Sequence, residues 1–387
     1  MTFTAQTNAT MQNAMTESSK SGPHSHIQSL QSLRGIAAFM VLLRHYFLCL
    51  PLPGTWSEKI ISILLNSHAA VVVFFVLSGF VLFPSLQKMP LTSANVVGFY
   101  IRRIFRILPL LMVVTLLSYG YVKSGFSAHP LLIANEWMSG LLPHMSSIGT
   151  INLIKCLMGM QSTLVPQNWT IMVELLIALV LPFLVRLCSK RWMINGLVFV
   201  GFAAISFLCA KWGGKSLPFI YAVSFIIGML SYRLFELRTF RIPTALLAFS
   251  MIGLLSASTV LSFVTGSDTP FHDPLCSLIE GLFAGCVILG LATPNAISRH
   301  FTWKPLVWLG DVSFGVYLVH FLVIVVMARL MESVLSTMPE TTRSLTLLLP
   351  VVMVSLLLAQ IFYSAVEKPF IQLGRQSQRA FLKIRNA

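Results

Sequence analysis

Charge is what this sequence has least of. Among 387 residues only 10% are charged, and only 12 are Asp or Glu, where a soluble domain carries about 25% charged residues. Hydrophobic residues make up 56% of the chain, so polar groups are too few to cover a globular surface. That excludes a soluble enzyme, a disordered chain and a secreted disulfide scaffold. Cysteine is as uninformative as it is scarce. Cys49, Cys156, Cys188, Cys209, Cys276 and Cys286 are scattered, without CxxC or metal-ligand spacing, and read as small apolar filler. Several catalytic signatures are missing too: the GxSxG elbow, GxGxxG, a phosphate-loop Lys, HExxH and the His-x4-Asp of soluble acyltransferases. No metal is expected on these grounds.

What the sequence has is long apolar runs. A bilayer core takes about 20 apolar residues per helix. On that ruler about ten spans emerge, roughly 33–51, 67–85, 104–122, 169–188, 193–210, 217–234, 243–264, 274–293, 312–331 and 344–365. Prolines fall at or near most span ends, as breakers should. The predicted class is an all-α polytopic membrane protein. Residues 1–28, rich in Ser, Thr, Gln and Asn, read as a disordered cytoplasmic tail, 29–372 as the membrane domain and 373–387 as a basic cytoplasmic tail. The longest loop, 123–168, has room for a short amphipathic helix near 151–160. No internal repeat is visible.

The charge that exists is lopsided: 27 Lys and Arg give a net +15. On a soluble protein that would suggest nucleic acid. Here it is a topology signal, and no nucleic-acid partner is expected. With ten spans and both termini inside, roughly 19 Lys and Arg fall on the inner side against roughly 6 outside. Both termini are therefore predicted to be cytoplasmic.

An ionisable residue inside a span costs at least about 2.5–3.5 kcal/mol and tends to mark function. Glu280, His68 and Arg329, near span ends, read as interfacial or snorkelling groups. Arg34 and His45 are eleven residues apart, three turns plus about 20°, so they share one helix face at roughly 16 Å separation. Arg34 falls at the cytoplasmic mouth and His45 toward the bilayer middle, where a His facing a cavity can act as a general base. The alternative is a His satisfied by a buried polar neighbour. Arg44 points elsewhere and receives no assignment.

Arg102, Arg103 and Arg106 open the third span. They read either as positive-inside anchors or as a phosphate clamp, since Arg forks match phosphate oxygens. Ser78 and Gly79 in FFVLSGF (74–80) fall toward the same end; Gly permits close helix approach, and Ser78 can back-bond to its own helix. Trp169 suits the outer interface belt, with Glu174 about 7 Å further in. His320 lies about 12 Å in from the inner face. The last helix is expected to stop at Lys368-Pro369, just after Glu367.

Taken in order, Arg34-x10-His45, FFVLSGF (74–80), FYIRRIFRILP (99–109), WTIMVE (169–174), VSFGVYLVH (312–320) and VEKPF (366–370) resemble the acyltransferase-3 family of integral membrane O-acyltransferases. The likeness covers about 30–372. It implies transfer of an acyl group, usually acetyl, from cytoplasmic acyl-CoA (acetyl-CoA as donor substrate) to a hydroxyl of a carbohydrate or lipid-linked glycan. By that resemblance His45 is the catalytic His, Arg34 its partner, Glu174 a further site residue and Arg103 with Arg106 the family's paired Arg. Arg102 and Ser78 join the acyl-CoA site, while Trp169, His320 and Glu367 support it. The setting implied is the inner (plasma) membrane of a bacterium, among membrane lipids. Two departures stand out: Ala178 where the family often has Tyr, and no appended extracytoplasmic esterase-like domain. The rival reading is a transporter or flippase for a glycolipid or small anionic solute, which would predict internal repeats.

Overall fold

The computed structural model describes residues 23–124, 131–146, 148–188, 191–210, 217–237, 241–266 and 271–386. Most of the expected N-terminal tail, and several of the counted charges (Lys20, Lys190, Lys211, Lys215, Arg238), lie outside them. Every element in the described residues is helical. In chain order these are α1 (Pro23–Cys49), α2 (Thr55–Leu64), α3 (Ser67–Lys88), α4 (Ser93–Lys123), α5 (Glu136–Ser146), α6 (Thr150–Leu157), α7 (Asn168–Leu187), α8 (Trp192–Ala210) and α9 (Leu217–Glu236). They continue with α10 (Thr244–Thr265), α11 (Pro274–Leu291), α12 (Ala296–His300), α13 (Lys304–Asp311), α14 (Ser313–Leu330), α15 (Glu332–Leu335), α16 (Glu340–Phe362), a π turn (Tyr363–Glu367) and α17 (Lys368–Asn386). Ten helices among the described residues are long and apolar enough to cross a membrane, in register with the runs read from sequence.

Local chemistry sets the starts. Asn66 caps α3 by accepting from the Ala69 amide, Thr92 caps α4 through the Asn95 amide, and Asp273 caps α11 through the Cys276 amide ahead of Pro274. Between elements, glycine sets the closest approaches. A Cβ on Gly79 of α3 would lie 2.2 Å from the Phe225 carbonyl oxygen of α9, and one on Gly228 would lie 2.0 Å from the Val76 oxygen. The two backbones therefore touch, as the Gly in FFVLSGF suggested. Gly35 and Gly310 bring α13 equally close to α1, which seats Asp311 beside Arg34.

Burial separates centre from rim. α9 is 72% buried over its span window and α3 67%, whereas α8 is 17% and α10 22%. Exposed Val200, Ile252, Phe263 and Val264 on the rim are the apolar face that lipid would solvate.

Two expectations change at the ends. The first helix starts at Pro23, inside the segment read as a tail. The last helix does not stop at Lys368-Pro369: the chain passes through the π turn and continues as α17. Proline is tolerated there because the new register begins at Lys368. Lys368 N–H reaches back five residues to the Tyr363 oxygen, and this wider π turn is where the chain accommodates a proline that has no N–H to donate. The expected basic tail is thus largely helical. It packs on α4, with Gly374 against Phe105 and Gln378 against Gly98.

Candidate active site

The first half of α1, most of α3, the start of α4 and the first two turns of α7 (Thr170, Ile171, Glu174) meet around one space that opens at the end of the bundle where α1 and α4 start, the terminal end. A cavity of about 910 Å³ opens there. Arg34, Ser78, Arg102, Arg103, Arg106, Glu174 and Glu367 all line it. The structure therefore gathers seven of the ten site residues expected from sequence around one space. Arg103 Nη2 donates to Glu174 Oε1 at 2.5 Å, and Ser78 Oγ lies 3.5 Å from the same oxygen. Ser78 thus faces the site rather than its own helix. Arg34 lies in the fields of Glu174 and Glu367, and Arg106 in that of Arg34.

Four arginines share this space with three carboxyls: Glu174, Glu367 and Asp311. Burial pushes the Asp311 carboxyl above its ordinary range, against the hydrogen bond from Gln31 and the charge of Arg34. The cavity is therefore cationic on balance and suits an anionic ligand. Tyr363 and Glu367 enter its wall from the π turn; such turns are frequent at functional sites. Arg102, exposed, sits at the rim, in the field of Arg375 from α17.

His45 is not part of this lining. It lies a little over one turn from the far end of α1, against His320 near the middle of α14. The helix ends at Cys49, before Pro51 and Pro53, earlier than the apolar run does. Arg34 and His45 share a face as predicted but are not in contact, so Arg34 partners the cavity carboxylates rather than His45. The partner of His45 is His320. Their rings lie nearly coplanar, with planes 11° apart and centroids 5.0 Å apart, and His45 Nδ1 lies 2.7 Å from His320 Nε2. Trp137 of α5 stacks on the other side of His45 at 5.6 Å.

The hydrogen-bond chain fixes the neutral tautomers. A carbonyl can only accept, so His320 Nδ1–H donates to the Val316 oxygen at 3.1 Å. His320 Nε2 is then an acceptor, His45 Nδ1–H donates to it, and the lone pair of the dyad resides on His45 Nε2. Tyr317 separates dyad and cavity. It lines the cavity, its ring centroid is 6.1 Å from that of His320, and its hydroxyl shares a 2.8 Å hydrogen bond with Thr170. His320 thus sits one side chain beyond the cavity wall, with His45 behind it.

Two sequence readings need correction. Trp169 is not an interfacial anchor: it packs inward against Tyr221, Phe271, His272 and Phe75. His68 and Glu280 are not snorkelling groups either. Glu280 is fully buried and His68 nearly so, 2.5 Å apart at the opposite end. A side chain at a helix terminus is interfacial only when the terminus faces lipid, and these termini face each other across α3 and α11. Arg329 fits its reading better: it pairs with Glu332 one turn on, at 2.7 Å. Residues that sequence reasoning missed are Tyr317, Thr170, Trp137 and Asp311. Only the half-polar VSFGVYLVH run hinted at the first. Among the described residues, His68, Cys276 and Glu280 form the one group spaced to hold a metal, their ligand atoms all within 4.8 Å of one another.

The fold and this arrangement define a class: a helical membrane protein with a cationic cavity at one end and a histidine pair behind its wall. Residues 27–364 match the family described as Acyltransferase domain, and the chain belongs to this acyltransferase-3 family. Nodulation protein 10 of Rhizobium leguminosarum bv. viciae is 26% identical over 344 residues, covering 77% of this chain and 83% of that protein. Acyltransferase MdmB of Streptomyces mycarofaciens is 26% identical over 382 residues, covering 90% of this chain and 93% of that protein. No solved structure gives a significant match. The protein is therefore a multi-pass membrane O-acyltransferase.

Proposed function

We propose that this protein moves an acyl group, acetyl in the simplest case, from cytoplasmic acyl-CoA to a hydroxyl of an exported or cell-surface carbohydrate. The membrane is a bacterial inner membrane in this reading, and the Lys and Arg bias supports a cytoplasmic terminal end. The observation that carries this reading is the division of labour: guanidinium groups line the cavity at one end, and a histidine pair begins one side chain, Tyr317, beyond it.

Arg34, Arg103 and Arg106, with Arg102 at the rim, bind the phosphates of the donor, since guanidinium forks suit phosphate oxygens. Glu174 holds Arg103 in place through the 2.5 Å pair. Ser78 and the apolar walls of Phe74, Phe75 and Leu77 accommodate the thioester arm. The acceptor enters from the opposite end. A smaller cavity of about 100 Å³ there, lined by Asn135, Glu340, Arg343 and Ser344, adjoins the end of α1.

In the transfer, the acceptor oxygen attacks the thioester carbonyl carbon, the C–O bond forms and the C–S bond breaks. His45 Nε2 takes the hydroxyl proton and returns it to the departing thiolate. No covalent acyl-enzyme is required. His320 is the positioning residue that holds His45 in the reactive tautomer. The test is transfer of labelled acetyl from acetyl-CoA by the reconstituted protein, alongside mass spectrometry of surface glycans from cells with and without it. Loss of the acyl mass, and loss of transfer in His45→Ala, are expected. Undiminished transfer in that variant would overturn the mechanism.

A further inference from the structure

The cluster at the opposite end is built around one carboxylate. Asn66 Nδ2 donates to Glu280 Oε1 at 2.9 Å, and His68 Nδ1 meets Glu280 Oε2 at 2.5 Å. The Cys276 sulfur lies within 4.8 Å of the His68 and Glu280 ligand atoms. His68, Cys276 and Glu280 are 5%, 2% and 0% exposed. Cys276 and Glu280 stand four residues apart on one face of α11, with His68 facing them from the first turn of α3.

We propose that His68, Cys276 and Glu280 form a site for a divalent transition-metal ion of the zinc class. Three arguments support it. The first is convergence: a thiol, an imidazole nitrogen and a carboxylate oxygen, all within 4.8 Å of one another, aim at a common point. Tetrahedral zinc ligands stand roughly 3.3–3.8 Å apart, given Zn–N and Zn–O near 2.0 Å and Zn–S near 2.3 Å. Opening the His68–Glu280 contact by about 1 Å would admit the ion. The second is charge. A dication with one thiolate, one carboxylate and a neutral imidazole is net neutral, which a buried site requires. Entry of the ion displaces the thiol proton and the proton held between His68 and Glu280.

The third is orientation. His68 and Glu280 are each already aimed by a second hydrogen bond, the arrangement that sets ligand geometry at metal centres. His68 Nε2 meets the Tyr221 hydroxyl at 2.9 Å and the Ser277 hydroxyl at 3.4 Å, which turns Nδ1 toward the cluster. Asn66 occupies the other oxygen of Glu280 and is itself held by the Leu255 carbonyl and Ser258. Sulfur and nitrogen ligands favour zinc over magnesium or calcium. Three protein ligands leave one position for water or for a group entering beside Phe271 and His272. The expectation of no metal rested on local spacing alone, and these ligands come from helices more than 200 residues apart in sequence.

The test is metal analysis of the full-length protein, purified in detergent without chelator from zinc-supplemented cells. About one zinc per chain is expected, falling below a tenth in Cys276→Ser and in His68→Ala. Cobalt(II) exchanged into the wild type should give visible absorption with a thiolate charge-transfer band that Cys276→Ser loses. Should a variant fail to fold, the wild-type cobalt spectrum decides. Folded wild type without stoichiometric zinc and without the thiolate band would overturn the proposal and leave a hydrogen-bonded cluster only. Neither result bears on acyl transfer, which His45→Ala tests separately.

Discussion

Two histidines, His45 and His68, sit near the same end of the bundle, and their partners set them apart. His45 is bonded at one nitrogen, to another histidine whose far nitrogen is committed to a backbone carbonyl. Its other nitrogen carries a lone pair. His68 is held at both nitrogens, by Glu280 on one side and Tyr221 on the other. A histidine held at one nitrogen can exchange a proton with a substrate; one held at both is a structural or ligand group. Burial points the same way, His45 being partly exposed and His68 5% exposed, whereas sequence context does not distinguish them, since each lies near the end of an apolar helix.

The largest expected effect breaks the comparison on the His45 side. His45→Ala should lower kcat by about 10²–10⁴, the usual contribution of a positioned general base, with little change in donor KM. His68→Ala should do the reverse. It leaves Glu280 buried without its main partner, so stability falls by about 3–5 kcal/mol, while the molecules that do fold retain kcat. Thermal unfolding and kcat per folded molecule, measured on both variants, check the pair. Equal loss of kcat in both would erase the distinction.

Next in size is the Arg103–Glu174 pair. Arg103→Ala should weaken acyl-CoA binding at least tenfold and destabilise by about 3 kcal/mol, because it strands a carboxylate in a mostly buried site. Glu174→Gln removes that stranded charge, so adding it to Arg103→Ala should restore much of the stability and none of the affinity. Calorimetric binding of CoA with thermal unfolding separates the two effects. Recovery of affinity in the double variant would return Arg103 to an anchoring role.

The His45–His320 contact sharpens the comparison further. His320→Ala should lower kcat by about 10²-fold, since the base loses its orientation. His320→Gln should lower it less, because a side-chain carbonyl can still accept from His45 Nδ1–H. Identical rates in the two variants would show that the ring, not its acceptor, matters.

The ten spans were legible because apolar runs of about 20 residues have few alternatives. The arginine cluster was legible in composition, and the motif order placed His45, Glu174 and His320 on the list. Pairing was not legible. Arg103 finds Glu174 across 71 residues and His45 finds His320 across 275; helix periodicity places a side chain on a face but does not say which helix the face meets. The same limit produced the misreading of Trp169, whose position at a helix start suits lipid or an aromatic cluster equally well. The π turn was hidden for a different reason. Lys368-Pro369 is a genuine helix-stop signal, and only the change of register at Tyr363–Glu367 lets the chain continue past it.

The smallest effect expected concerns His272, in the loop ahead of α11. Burial, with the neighbouring His68 adding to it, lowers its pKa to about 4, and its Nδ1 meets the Tyr221 hydroxyl at 2.9 Å. His68, Tyr221 and Trp169 are the groups that face it. An unfolded histidine titrates near 6.5, so between about pH 6.5 and pH 4 the unfolded chain binds a proton that the folded one refuses. Stability from this group is therefore complete above about 6.5 and is lost as pH falls toward 4. Since His272 is partly exposed, solvent screens the effect and the slope should be shallow. Thermal unfolding of chelator-treated protein from pH 7.5 to pH 4.5, compared with His272→Gln, isolates it. The variant should unfold at a lower temperature at pH 7.5, having lost the aromatic packing, but with a flatter pH dependence. A slope unchanged by the substitution would assign the acid sensitivity to the His68–Glu280 pair instead, and would place that pair, rather than the loop above it, at the weak point of this end of the bundle.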